Sequence, residues 1–395
     1  MEKNKVKKNL MIIGIDASNL RRGGGLTHLT ELISELDPNK HNFEKIIIWS
    51  HKSTLNHIKE ASWIIKNTPK ELEGNLISRF FWQRYKLSKL AKESKCDLLF
   101  VPGGSFSTSF RPIVTMSRNM LPFEWSEARR YGIAPITLRI IILRWLQSTS
   151  FRSANGVIFL TNYAKKQVTK ITGELAGKNK IIPHGLNKRF LMKPRGQYPI
   201  SNYSDENPYQ LLYVSIIDQY KHQWYLVDAV ARLKEIGFPV VLNLVGPSYP
   251  KSLKRLSKKI NSLDNKEFIK YHGSIQYQDL HNIYKKSHLG IFASSCENMP
   301  NILIETMAAG LPIACSNRGP MPEILGDNGI YFNPESSDEI FDALKEFISK
   351  PKLRYEKANA SFDNVQKYSW PVCTNETFMF LEDIIKEYKK SSCVE

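Results

Sequence analysis

The feature that most constrains this chain is an alternation that runs twice. Short apolar runs alternate with longer amphipathic stretches from residue 10 to residue 183, break off at the polar, Pro-rich segment 193–208, and resume at residue 211. A short apolar run bounded by turn residues is a strand covered on both faces. A stretch with apolar residues at every third or fourth position is a helix with one apolar face. Strand, helix and strand in repeated order give a parallel sheet with crossover helices. The first series predicts strands over 10–16, 44–49, 62–65, 97–101, 112–116, 155–160 and 180–183, and helices over 26–36 and 162–171. The second predicts strands over 211–217, 239–245, 268–271, 289–293 and 312–315, and helices over 224–236, 251–263, 279–286 and 338–348, with a last helix over 375–388.

The expected fold class is therefore α/β, with two Rossmann-like domains facing a cleft. They are expected over 1–195 and 209–370, joined by a linker over 196–208, with a C-terminal helix over 371–395 returning onto the first. A chain of 395 residues is long enough for two such cores. Ligands of open parallel sheets sit beyond the carboxyl ends of the strands. No G-x-G-x-x-G follows any strand, which disfavours a dinucleotide oxidoreductase.

The net charge of +18 is unevenly placed. Residues 1–200 hold 34 Lys and Arg against 14 Asp and Glu, whereas residues 201–395 hold 22 against 24. The excess lies in one half, so that half is expected to meet an anionic partner. No nucleic-acid-binding motif is present, so no nucleic-acid partner is expected and an anionic membrane surface fits better. Two basic segments support this. Segment 77–95 mixes Phe80, Phe81, Trp82 and Tyr85 with Arg79, Arg84, Lys86 and Lys89, and segment 137–152 mixes Leu138, Ile141, Ile142 and Trp145 with Arg139 and Arg144. Such a mixture suits a helix lying among lipid headgroups. No run reaches the ~18 apolar residues of a membrane span. Residues 1–9 are Lys-rich, but the apolar run after them is too short for a signal peptide. The five cysteines, Cys96, Cys296, Cys315, Cys373 and Cys393, show no metal-ligand spacing. A cytoplasmic protein, peripheral on the inner face of the cell membrane, is expected.

Chemistry concentrates between Ser294 and Pro312. The strand over 289–293 enters a polar turn, Pro300 is expected at the first helical position, and Gly310 with Pro312 ends the helix. The first amides of a helix have no backbone acceptor and attract anions. Glu297 and Glu305, with seven residues between them, bracket that start. Phosphate on the amides and sugar hydroxyls on the carboxylates would make a nucleotide-sugar site.

With these residues the chain resembles the GT-B-fold retaining glycosyltransferases of glycosyltransferase family 4, also called group 1. The resemblance is strongest over 275–325, where the two glutamates, Met307-Ala308-Ala309-Gly310, Pro312 and Pro322-Glu323 follow the family order. Weaker echoes are Gly23-Gly24-Gly25, Ile182-Pro183-His184-Gly185 and Lys221. The resemblance implies that Glu297 holds donor-sugar hydroxyls, Glu305 the ribose diol, and the backbone N–H groups of the donor-binding segment Met299, Pro300 and Asn301 (Pro300 excepted, having none) the sugar and diphosphate. It implies that Lys221 neutralises the leaving diphosphate, that Gly24 and Gly25 let backbone approach phosphate, and that backbone at Ile275 meets the base. Three departures stand out. Ile216 occupies the place of a phosphate-binding arginine; Arg118 and Asn119 stand where relatives carry a catalytic-site histidine, with Arg118 expected to supply the missing positive charge; and Asn298 replaces a glycine, its side-chain amide expected to contact the donor sugar. Cys296 is expected to pack, with thiol modification as an alternative, and His184 to be structural.

The implied activity is retaining, metal-independent sugar transfer from a nucleotide-diphosphate sugar, the substrate, to a glycan or lipid-linked acceptor, as in bacterial surface polysaccharide assembly. No cofactor is implied, and the chain has no Asp-x-Asp. The alternatives are a soluble transferase or a sugar-nucleotide epimerase of the same fold, and a non-catalytic basic binding protein.

Overall fold

The computed structural model describes residues 10–21 and 23–392. The calls on the first nine residues and on Cys393 lie outside these. The chain forms two compact units. One comprises Met1–Phe123, Leu138–Gly185 and Trp370–Glu395, and the other Glu124–Thr137 and Leu186–Ser369.

The first unit is built on seven strands: β1 (Met11–Asp16), β2 (Phe43–Trp49), β3 (Ile64–Asn67), β4 (Leu98–Val101), β5 (Ile113–Met116), β6 (Gly156–Phe159) and β7 (Lys178–Ile181). They pair in parallel in the order β3-β2-β1-β4-β5-β6-β7. The second unit carries β8 (Tyr209–Val214), β9 (Val240–Val245), β10 (Ile269–Tyr271), β11 (Leu289–Phe292), β12 (Ile313–Ser316) and β13 (Ile330–Phe332). Their parallel order is β10-β9-β8-β11-β12-β13. In each sheet the order reverses beside the first strand, at β1/β4 and at β8/β11. Loops leaving two such strands diverge to opposite faces and open a crevice, the usual ligand position.

Every residue of β4, β5, β6, β11 and β12 is buried, because helices cover both faces of these central strands. The edge strand β7 is half exposed and carries lysines at positions 178 and 180. Lys180 pairs with Glu376 at 2.8 Å on the final helix, Trp370–Ser392, which also sends Lys389 to Asp97 at 2.7 Å. The helix Pro351–Val365 and strand β13 had no expectation from sequence. The segment 77–95 is not one regular helix. A π-helical stretch, Trp82–Lys86, separates Leu76–Phe81 from Leu87–Glu93 and turns Trp82 into the core, where it is 1% exposed.

The Pro-rich segment expected to link the domains is held down on the second unit. Arg354 is fully buried, and its guanidinium donates to the carbonyls of Phe347 and Ile348, each at 2.6 Å, to Gln197 Oε1 at 3.0 Å and to the Tyr198 carbonyl. Arg195 donates to the carbonyls of Lys285 and Ser287. Gly310, at φ 63°, lies so close to this segment that an added Cβ would stand 2.6 Å from the Met192 carbonyl oxygen. Removing the Arg354 guanidinium orphans several buried carbonyls. Arg354→Ala is expected to destabilise the second unit by about 3 kcal/mol, seen in urea unfolding as an earlier transition.

Candidate functional site

In the second unit the reversal point is occupied by an ion pair. β8 runs into a turn, Gln219–Lys221, that Asp218 caps by accepting the Gln219 amide at 2.7 Å. The Tyr213 hydroxyl, from within β8, donates to the Lys221 carbonyl at 3.1 Å. β11 runs into Ser294 and Ser295, and the Ser295 amide donates to the Tyr220 carbonyl at 2.9 Å. The two loops are thereby tied together, and Lys221 Nζ forms an ion pair with Glu297 Oε1. The ammonium also lies 4.9 Å from the Tyr220 ring centre and 5.5 Å from that of Phe292, an arrangement that favours a cation.

The next helix is Asn301–Ala308. Pro300 stands at its N-cap, with φ −78° and ψ 102°, and not at the first helical position, because it carries the extended backbone of the preceding turn. Proline offers no side-chain acceptor, so the helix begins without a side-chain cap. Asn298 and Met299 are buried in the turn before it. Asn301 and Glu305, one turn apart, each keep one buried oxygen, Oδ1 and Oε2, with no hydrogen-bond partner. A buried unpaired oxygen costs stability until water or a ligand meets it.

Glu305 is 3% exposed. The Tyr277 hydroxyl donates to its Oε1 at 3.1 Å, and the Arg189 guanidinium covers the Tyr277 ring at 4.0 Å. Burial pushes the carboxyl up to about 8, against the opposing effects of the Tyr277 hydrogen bond and the Arg189 charge. Tyr277 lies two residues beyond Ile275, in the loop between β10 and the helix Leu280–Lys286. Neither Tyr277 nor Arg189 was a sequence candidate. Cys296 is buried, and that burial raises its thiol far above the ordinary range, with the carboxylates of Glu124 and Glu297 acting in the same sense. A buried thiol in this setting favours packing over reaction.

The first unit presents a second cluster. Gly23, at φ 64°, opens the helix Gly24–Ser34, which also lacks a side-chain cap. Arg118, in the loop after β5, lies against Gly25, where an added Cβ would come 2.6 Å from its Nη1. Burial pulls the guanidinium down to about 10, and its buried Nε has no hydrogen-bond partner. Its titratable neighbours are His28 and His184, whose Nδ1 atoms are 2.9 Å apart. One of these nitrogens must donate and the other accept, so the rings are opposite neutral tautomers. Burial presses both imidazoles below their usual range, His184 to about 3, with the Arg118 charge adding to the effect. His184 packs on Trp370 at 5.9 Å, a structural setting. Asn119 is exposed and accepts the Leu121 amide at 3.1 Å, which makes it a turn former here. The structure thus brings Lys221 to Glu297, and Gly25 to Arg118.

Comparison with known proteins agrees with this geometry. Residues 195–362 match the family model described as Glycosyl transferases group 1. The chain is 24% identical over 383 residues to an uncharacterized glycosyltransferase of Methanocaldococcus jannaschii, covering 88% of this chain and 87% of that one. It is 26% identical over 110 residues to the O-antigen chain mannosyltransferase B of Escherichia coli, a match spanning 28% of this chain and only 29% of that protein. Among solved structures, sucrose-phosphate synthase of Thermosynechococcus elongatus superposes with a TM-score of 0.74 at 16% identity, over 95% of this chain and 100% of that one. Anabaena HepE in complex with UDP and glucose gives 0.70 at 19% identity, over 94% and 99%. Identities this low establish the fold and leave the substrate open. Taken together the matches support a glycosyltransferase of GT-B architecture.

The raised Glu305 carboxyl makes a signed prediction. It holds its proton more tightly folded than unfolded, where 4.5 is ordinary. Its contribution to stability is complete below that value and is lost as pH rises through about 8. Glu305→Gln has no such titration. Between pH 5 and pH 9 the variant is expected to gain ~2–4 kcal/mol on the parent protein, measured by urea unfolding at the two pH values.

Proposed function

We propose that this chain is a retaining, metal-independent glycosyltransferase of family 4, moving a sugar from a nucleotide-diphosphate donor to a lipid-linked glycan acceptor. The observation that carries this reading is the buried Glu305 oxygen without a partner, one turn into an uncapped helix that begins beside the Lys221–Glu297 pair. A ribose diol supplies donors for that oxygen, a diphosphate supplies acceptors for the helix amides, and sugar hydroxyls supply donors for Glu297. In this reading Lys221 exchanges Glu297 for the diphosphate as the bond from anomeric carbon to phosphate oxygen lengthens and negative charge develops. The acceptor hydroxyl forms its new bond on the same face, and its proton passes to a departing phosphate oxygen. Arg118 with Gly24 and Gly25 forms a further cationic and backbone site suited to phosphate. In the second unit Lys221 and the helix amides meet the diphosphate charge, and no cofactor is invoked.

The acceptor side of the proposal rests on the surface of the first unit. Leu76, Ile77, Phe81 and Tyr85 are 52% to 70% exposed, and Leu138 and Trp145, on the helix Pro135–Ser153, 61% and 67%. Arg79 and Arg139 add positive charge to these two segments. Exposed aromatic side chains among arginines fit an anionic headgroup layer. Among the described residues no helix is long and apolar enough to cross a membrane. Peripheral attachment at the inner face of the cell membrane is proposed.

Nucleotide release from a panel of UDP-, GDP- and dTDP-sugars is expected to identify one donor, with Glu305→Ala reducing release at least ~100-fold. Equal release by parent and variant would remove Glu305 from the site. In vesicle sedimentation, the double variant Phe81→Ser/Trp145→Ser is expected to lose most binding to anionic phosphatidylglycerol vesicles while keeping donor turnover. Absence of parent binding at low salt would favour the soluble alternative.

A further inference from the structure

No sequence motif accounts for residues 124–131. The chain leaves the first unit after Phe123 and contributes Glu124–Thr137 to the second before returning at Leu138. The segment consists of one helical turn, Trp125–Ala128, and a 3-10 turn, Arg129–Tyr131. Its side chains engage both loops that carry the ion pair. The Tyr131 hydroxyl donates to Asp218 Oδ1 at 2.9 Å, the same oxygen that caps the turn bearing Lys221. Glu127, 6% exposed, accepts the Ser295 hydroxyl at 2.6 Å on Oε2, two residues before Glu297.

Ser295 then contacts His222 Nε2 at 2.8 Å, and His222 directly follows Lys221. A hydroxyl has one proton. With that proton given to Glu127, Ser295 can only accept from the imidazole, so His222 carries its proton on Nε2. Burial lowers the imidazole to about 4, with the Arg130 charge adding to the effect, so the ring is neutral and its tautomer is set by this relay. His222 itself is held in a left-handed backbone conformation, φ 55°, at the start of the helix Gln223–Glu235. Arg130 completes the network by donating to Glu127 at 2.7 and 3.0 Å and to Glu335 at 2.8 and 2.7 Å. A buried carboxylate held by a two-sided guanidinium is a rigid anchor.

We infer that Glu127 is a positioning residue for sugar transfer: through Ser295 and His222 it fixes the register between the loop of Glu297 and the turn of Lys221. The inference rests on the donor-site reading given above. Glu127 touches neither reacting group, and its effect passes through two hydrogen bonds to the backbone segments that carry them. Loss of the relay lets the two loops shift while Glu305 and the amides of the helix Asn301–Ala308 stay in place. Transfer and nucleotide binding should then separate, because misplacement of about 1 Å at the reacting groups slows chemistry up to ~100-fold.

The test uses the full chain with the best donor of the release panel and its matching nucleoside diphosphate. Ser295→Ala breaks the relay and leaves the Glu127–Arg130–Glu335 cluster intact. Glu127→Gln keeps an acceptor oxygen for Ser295 and serves as the conservative partner to Glu127→Ala. The expected result is a kcat lowered roughly 10- to 100-fold in Ser295→Ala and Glu127→Ala, with partial recovery in Glu127→Gln and a nucleoside diphosphate Kd within ~3-fold of the parent in all three. Parental kcat in the folded variants overturns the inference, as does a kcat that falls only in step with nucleotide affinity. Should Ser295→Ala not fold, Glu127→Gln against Glu127→Ala decides by the same split. Glu297→Gln and Glu305→Ala run alongside. If they too keep parental activity, the donor-site reading fails; if they lose it and the relay variants do not, only the positioning role fails.

Discussion

Lys221 and Glu297 stand at the one place in the second sheet where chain topology opens a crevice, and each is the other's compensation there. Their side chains are 8% and 16% exposed. Removing one partner of so enclosed a pair leaves an uncompensated charge and costs about 3–5 kcal/mol. The surrounding structure is arranged to keep both in place: Tyr213 holds the Lys221 carbonyl, Asp218 caps its turn, and Ser295 binds the Tyr220 carbonyl. A ligand that binds here must replace each charge's partner with something of comparable strength. Diphosphate oxygens for the lysine and several hydroxyls for the glutamate satisfy that condition together. A neutral apolar ligand satisfies neither half.

How much of this was legible in the sequence follows from which interactions are local. Among the described residues thirteen strands form, and the alternation anticipates twelve; for the central ones, burial on both faces leaves an uninterrupted apolar signature, while the edge strand β7 has none. The short edge strand β13, Ile330–Phe332, has no such run and was not anticipated. The helix start at 301 was visible within one residue, since a proline and an apolar run mark it. The relay through Glu127 was not visible. Glu127 and Ser295 are separated by 168 positions, and Arg130 and Glu335 by 205, so no spacing rule connects them. Tyr277 was missed for a related reason: in sequence it is an aromatic residue in a polar loop, and only the fold places its hydroxyl on Glu305.

The segment 77–95 shows the limit of reading composition. Its aromatic and basic residues form one set by sequence, yet the π-helical stretch rotates part of it inward. Trp82 becomes core while Phe81 and Tyr85 remain at the surface. A helix of uniform pitch would have kept a single apolar stripe. The extra residue per turn breaks that stripe and lets neighbouring aromatic residues serve the interior and the surface separately.

The two glutamates of the motif differ more than their spacing suggests. Glu297 lies in the turn before the helix, where a lysine reaches it; Glu305 lies on the second turn, where the helix has carried it into the interior beside the Tyr277 hydroxyl, and among the described residues no cation pairs with it. Burial alone raises the second carboxyl, so whatever binds it decides its protonation. Two hydroxyl donors from one diol favour the carboxylate, and binding of such a ligand must release a proton wherever the empty site holds one. In the proposed donor site the same burial would make Glu305 selective. It would reward a ligand with paired donors and give little to one without them.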